Sequence, residues 1–385
     1  MSRIKEVRKC IQVIEGPRQV GKSTLVKQVL STIDIPWVHF SADNVATRGN
    51  EWISECWNTA RNKMQIEHLP ELLLVIDEVQ RLPRWSDAVK KEWDADTFDD
   101  TNIKVVLLGS SRVMLERGLS DSLKGRFEVI RMPNWSYIEM RDAFGVSLDE
   151  YIYYGGYPGA ADYITEPDRW RDYIRSAIID ATINNDILMD SPIGKPALLR
   201  RTFELSAAYS GQLLSLTKMV GQLQDAGNTT TLSGYLDLLD QSGMLCGIQK
   251  FAMNQVRRRA SIPKYQVYNN ALLSFYSDYD FLSARSDHKV WGRFYESAVG
   301  AHIINCAYTG NFNVFYWREG NDEVDFVLTR NSRVVAIEVK SNDTADTAGL
   351  HRFEDTFHPY RSLIVGANGL PIETFLASNL VELFD

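Results

Sequence analysis

The sequence predicts an α/β protein: a parallel sheet flanked by helices, then a helical stretch closed by a two-stranded hairpin, then a second α/β domain. Three observations carry that prediction. In IQVIEGPRQVGKSTL, Ile11 to Leu25, an apolar β-branched run passes through a glycine-bearing turn into a helical run. Leu72 to Ile76 is a continuous apolar run ending in Asp77-Glu78, the pattern of a strand buried on both faces of a parallel sheet. Near the C-terminus a helical pattern, Trp291 to Asn305, precedes the strand-turn-strand FYWREGNDEVDFVL and the strand RVVAIEVKS.

The first stretch has the spacing G-x-x-x-x-G-K-[ST] between a strand and a helix. The loop Gly16, Pro17, Arg18, Gln19, Val20 and Gly21 can wrap a polyphosphate with the backbone N–H groups of its non-proline residues and of the helix start. Lys22 can reach the β- and γ-phosphates, Ser23 can place its hydroxyl on Mg²⁺, and Thr24 completes the loop. Asp77-Glu78 answers this loop. Two carboxylates at the end of a buried strand require a reason, and the carboxyl ends of parallel strands face the ligand crevice. Asp77 is placed to hold Mg²⁺ and Glu78 to polarise an attacking water.

Composition sets the limits. The 385 residues have room for about two or three domains. A net charge of −8 argues against indiscriminate coating of nucleic acid or anionic membrane. Cys10, Cys56, Cys246 and Cys306 lack metal or disulfide spacing, and no run approaches the roughly 18 apolar residues of a membrane helix. The compartment read from this is the cytoplasm.

Residues 1–150 read as one nucleotide-binding domain. IPWVHFSA, Ile35 to Ala42, supplies a strand and Asn50 to Glu67 a helix with Trp52, Ile53, Cys56, Trp57 and Met64 on one side. The strand Lys104 to Leu108 runs into Gly109-Ser110-Ser111, where Ser110 can sense a γ-phosphate or cap the next helix. Arg126 precedes the strand FEVIRM, placed to reach a nucleotide on a neighbouring subunit or to sit in solvent at a helix end.

GPRQVGKST, LLLVIDEVQ, the GSS after the following strand, the GR before FEVIRMP and the later GGYPGA resemble bacterial and archaeal AAA-type ATP-binding proteins with a C-terminal domain of unknown function. The resemblance covers nearly the whole chain. It implies a P-loop NTPase sheet of the AAA+ type, ATP and Mg²⁺ as cofactors, and Lys22 and Ser23 as phosphate and Mg²⁺ contacts. It implies Asp77 and Glu78 as the Walker B pair, Ser110 as sensor and Arg126 as arginine finger. A homo-oligomer with nucleotide at its subunit interfaces follows from that last role.

Residues 151–275 read as a helical stretch, which the resemblance implies is a helical lid, followed by a winged-helix-like domain. Tyr151 to Tyr163 holds five tyrosines and three glycines, which signal a hinge or a close backbone approach. Trp170 to Leu188 is a long helical pattern with Tyr173, Ile174, Ala177, Ile178 and Ala181 as core. Helices at 197–210, 216–223 and 230–241 and strands at 245–251 and 264–268 follow, the order of a winged helix. Residues 191–265 hold nine lysines and arginines against four carboxylates, a local +5 in an acidic chain. Arg257, Arg258 and Arg259 at the hairpin tip are DNA-phosphate candidates, or a solvated loop. The helix TTLSGYLDLLDQ carries two aspartates and no cation, which disfavours base reading.

Residues 276–385 bring four groups in order: Glu296 on a helix, Asp325 on a strand, and Glu338 and Lys340 on one face of the next. Helix-Glu, strand-Asp and strand Glu-x-Lys resemble the PD-(D/E)XK nuclease arrangement, a restriction-endonuclease-like α/β domain. That resemblance implies carboxylates holding Mg²⁺ against a scissile phosphate, with Lys340 activating water. The same E-x-K also serves to blunt a sheet edge. His288, His302, His351 and His358 read as structural or surface residues.

The function expected is a Mg²⁺-dependent ATPase that switches or powers the nuclease-like effector. Two alternatives are a DNA nuclease or DNA-binding protein regulated by ATP, and a non-enzymatic assembly or signalling module with protein partners. No membrane partner is expected.

Overall fold

Five apolar runs of the N-terminal third become one parallel sheet. In the computed structural model, the described residues are 2–43, 45, 49, 51–109, 122–188, 193–224, 227–252, 261–342 and 347–385. The strands are β1 (Ile11–Glu15), β2 (Trp37–Ser41), β3 (Leu72–Asp77), β4 (Ile103–Gly109) and β5 (Phe127–Arg131), in the order β2-β3-β4-β1-β5. Every pairing is parallel. The central strands β1, β3 and β4 are buried at every residue, which explains why they read as unbroken apolar runs.

Alternation divides β3 between two cores. Leu72, Leu74 and Ile76 pack with Trp52, Ile53 and Trp57 of the helix Glu51–Ile66 and with Trp85, Val89 and Trp93 of the helix Trp85–Phe98. Leu73 and Val75 face the other way, against Val26 and Leu30 of the helix Lys22–Leu30. The two tryptophan-bearing helices are further stitched by Trp57 Nε1 donating to Asp96 over 2.9 Å and by Arg61 pairing with Glu92 at 2.7 Å and Asp96 at 2.8 Å. Because all five strands run the same way, their carboxyl ends share one edge, and the turn after β1 and the carboxylates ending β3 lie on it.

The rest of the chain forms a second unit. The division falls between Met132 and Pro133, so the boundaries read from sequence at 150 and 275 both lie inside this second unit. The expected helices and hairpin are present: Pro196–Ala208, Leu216–Gln222, Thr229–Gln241, β6 (Leu245–Lys250) and β7 (Lys264–Val267), the last two antiparallel. The hairpin does not stand apart as a wing, however. β6 pairs with β8 (Asn313–Glu319) through Gln249–Phe315 and Lys250–Tyr316, and β9 (Asp322–Arg330), β10 (Arg333–Lys340) and β11 (Arg361–Gly366) complete a six-stranded sheet, β11-β10-β9-β8-β6-β7. One hydrophobic core runs from Tyr137 to Phe384 and includes Leu245, Tyr265, Phe326 and Ile337. A pairing over that sequence distance leaves no local signature, which is why the middle and C-terminal parts read as separate domains.

Two further readings are resolved here. The tyrosine-glycine stretch is a close approach, not a hinge. Gly155 has φ +71° and a Cβ there would strike the side chain of Asn269, whose Oδ1 accepts the Gly156 N–H over 3.0 Å. The helix expected over Trp170 to Leu188 begins at Pro167 and widens into π turns from Ile174 to Ile187. That widening puts Ile174, Ile178, Ile183 and Ile187, spaced by four and five, on one buried side.

Candidate functional site

The turn after β1 is shaped by what it touches. Glu15, buried at the strand end, pairs with Arg131 of β5 at 3.1 Å. A Cβ on Gly16 would collide with the carbonyl oxygen of Met132, so the chain turns there only as glycine. Gln19 and Gly21 take left-handed backbone at φ +61° and +85°, and the helix Lys22–Leu30 starts immediately after. The buried Lys22 bends back over this loop, its Nζ donating to the carbonyls of Gly16 at 2.9 Å and Pro17 at 2.8 Å.

Ser23 and Asp77, expected to share a metal ion, are in direct contact: Ser23 Oγ donates to Asp77 Oδ2 over 2.8 Å. The other Asp77 oxygen accepts the Glu78 N–H at 2.9 Å. Glu78 holds a left-handed backbone, φ +54°, a strained conformation for a residue with a side chain and one that clusters at active sites. Gln80 donates to Glu78 Oε2 over 2.6 Å, and Arg81 lies 3.7 Å from that oxygen and 3.3 Å from Asp43. The donor set suits Mg²⁺, a hard cation held by one or two protein oxygens and otherwise by water and phosphate. Ser23 and Asp77 would hold it, and the ion would supply charge neutralisation at the phosphates. Gln80 and Arg81 were not legible as site residues, since a short 3₁₀ turn, Val79–Arg81, folds them back onto Glu78.

Other expected positions fall differently. β4 ends at Gly109, paired with Glu15, and Ser110 lies outside the described residues, as do Arg257, Arg258 and Arg259. Arg126 lies at the far edge of the sheet, where its carbonyl accepts the Ile11 N–H at 2.8 Å. The length of β1, roughly 16 Å at about 3.3 Å per residue, separates it from its own phosphate loop. Its guanidinium grips Asp94 with two hydrogen bonds, 2.7 and 3.1 Å.

In the second unit the structure brings Glu296, Asp325, Glu338 and Lys340 together, and adds a residue that sequence reasoning missed. Lys264 of β7, 1% exposed, places its Nζ 2.6 Å from Glu296 Oε1 and 3.3 Å from Asp325 Oδ1. The second Asp325 oxygen accepts the Val339 N–H at 2.8 Å, and Lys340 pairs with Glu338 at 2.6 Å. Burial, with Asp325 adding to it, pushes the Glu338 carboxyl up to about 8. Burial likewise pushes Glu296 up to about 7, with Lys264 opposing and Asp325 reinforcing the shift. Burial works against the Lys264 charge, yet Glu296 and Asp325 outweigh it and raise its pKa. As a Mg²⁺ cage this set does not fit, because an ammonium already stands between two of its carboxylates. Among the histidines, His302 is buried and its pKa falls to about 4, as a structural residue's would. Among the described residues no helix is long and apolar enough to cross a membrane.

The sheet order, the turn after β1 and the facing carboxylate pair are those of an AAA-like P-loop domain. Residues 8–141 match the family model described as an AAA domain. Residues 146–281 and 291–375 match two models each described as a domain of unknown function, DUF8612 and DUF4143. An uncharacterized protein of Haemophilus influenzae is 25% identical over 281 residues, covering 68% of each chain. An uncharacterized protein of Methanocaldococcus jannaschii is 20% identical over 375 residues, covering 91% of this chain and 79% of its own. Among solved structures, Thermotoga maritima RuvB aligns at 16% identity and a TM-score of 0.36, over 62% of this chain and 82% of its own, a likeness too distant to argue from.

Proposed function

We propose that this protein binds ATP with Mg²⁺ at Lys22, Ser23 and Asp77, hydrolyses it with Glu78 orienting the water, and uses nucleotide state to switch its second unit. The observation that supports the reading is the 2.8 Å contact between Ser23 and Asp77, the two side chains proposed to hold the metal. Lys22 stands ready over the loop carbonyls, and an arriving phosphate offers its ammonium a stronger, charged partner. Arg126 is too far from its own loop to serve it, so its role as a finger is toward a second copy, released from Asp94 when subunits meet. ATP turnover by Lys22→Ala and Glu78→Gln proteins tests the assignment. Loss in both is expected; unchanged turnover in both sinks it.

A second reading concerns what the second unit holds. A cleft of about 560 Å³ is lined by Lys218, Lys250 and Arg318 with the hydroxyls of Ser215 and Ser261; among the described residues no carboxylate lines it, although Arg318 also pairs with Glu323 at 3.5 Å. That chemistry favours phosphate, and the local +5 of residues 191–265 favours a polyanion such as a nucleic-acid backbone. Replacing Lys218, Lys250 and Arg318 with alanine is expected to weaken DNA binding and to flatten its salt dependence. Equal salt slopes in both proteins would refute this reading.

A further inference from the structure

We propose that Lys264 is the resident cation of the carboxylate cluster in the second unit, standing where a metal-dependent nuclease would keep its divalent ion, so that this site balances its charge without metal. Three carboxylates of low exposure, Glu296, Asp325 and Glu338, converge here, and buried carboxylates require cations or hydrogen bonds. In a metal nuclease the ion meets that need. Here Lys264 meets it for Glu296 and Asp325, and Lys340 meets it for Glu338 through Oε1, while the buried Glu338 Oε2 has no hydrogen-bond partner among the described residues.

The ammonium donates to Asp325 Oδ1 and to the Asp325 backbone carbonyl, each at 3.3 Å, and forms an ion pair with Glu296 Oε1 at 2.6 Å. It also lies 4.8 Å above the centre of the Phe326 ring. The other Asp325 oxygen is held by the Val339 N–H, and Glu338 Oε1 by Lys340. A divalent ion binding Asp325 and Glu296 would have to expel a buried ammonium from its acceptors, and Lys264 is 1% exposed.

Topology supports a purposeful placement. β7 and β9 are three places apart in the sheet, about 14 Å at roughly 4.8 Å per strand, beyond a lysine's reach across a flat sheet. The hairpin therefore folds over the sheet and delivers Lys264 onto β9 and onto the helix His288–Gly310 that carries Glu296. The lysine thus ties three elements together at the point where the nuclease-like arrangement would be open to metal.

The test is a Mn²⁺ titration of the full-length, nucleotide-free protein, with free ion read by electron paramagnetic resonance. Wild type and Asp325→Asn are expected to bind equal numbers of Mn²⁺, since ions at the P-loop or surface are common to both. One more tight Mn²⁺ per chain in wild type than in Asp325→Asn overturns the proposal, and this comparison does not depend on any Lys264 variant folding. A folded Lys264→Ala protein is expected to bind one Mn²⁺ more than wild type. An unchanged count in that folded variant also counts against Lys264 standing in for a metal.

Discussion

Ser23 and Asp77 meet across 54 residues of chain: the hydroxyl at the start of the first long helix donates to the carboxylate that ends β3. The contact exists because β1 and β3, separated by β4, point their carboxyl ends at the same edge. A hydrogen bond to a charged group contributes about 1.5–3 kcal/mol. Asp77→Asn and Ser23→Ala are each expected to weaken ATP binding by roughly 10- to 100-fold in Mg²⁺ and far less in EDTA, on the scale of metal-shell changes. Calorimetric titration with and without Mg²⁺ checks it, and an equal loss in both conditions would show that neither group holds the ion.

Gly16→Ala acts on the same site through the backbone. The added methyl meets the Met132 carbonyl, which belongs to the segment continuing β5, so either the loop or that segment must shift. Overpacking of this kind costs about 1–3 kcal/mol. The expected result is a folded protein of lower melting temperature with nucleotide affinity lost; full affinity would mean that the loop tolerates the shift.

Arg126 yields a mixing experiment. Its distance from its own loop predicts that Arg126→Ala lowers turnover only where subunits share sites. Lys22→Ala has an intact finger and Arg126→Ala an intact loop, so mixing two weakly active proteins should restore part of the ATPase activity. A mixture no more active than the sum of its components would remove Arg126 from the mechanism.

Legibility of the sequence followed the range of the interactions. Ile11–Glu15, Leu72–Asp77 and Ile103–Gly109 are buried on both faces, so apolar runs mark them, and the loop residues are fixed by local spacing. Glu296, Asp325, Glu338 and Lys340 were legible as a series because each occupies a recognisable place on its own helix or strand. Lys264 was not, since in PKYQVY it reads as an ordinary strand-edge lysine, and only the fold of the hairpin carries it to Asp325. The same pairing of β6 with β8 hid the unity of the second unit. Gln80 and Arg81 escaped because their approach to Glu78 depends on a left-handed turn at a residue that is not glycine.

The carboxylate cluster also sets a pH dependence. Glu338 is raised to about 8 in the folded protein, above the ordinary carboxylate value near 4.3 that the unfolded chain would have. The folded state therefore holds a proton that the unfolded state releases, and stability falls with rising pH. The contribution is complete below about pH 4 and is lost as pH climbs through 8. Each pKa unit corresponds to about 1.4 kcal/mol, so the effect is on the order of a few kcal/mol, with Glu296, raised to about 7, acting in the same direction. Glu338→Gln keeps the shape of the protonated acid and cannot ionise. Melting temperatures from pH 5.5 to 8.5 should fall for wild type and fall distinctly less for the variant. Parallel curves would mean that Glu338 stays ionised in the folded protein, its charge held by Lys340.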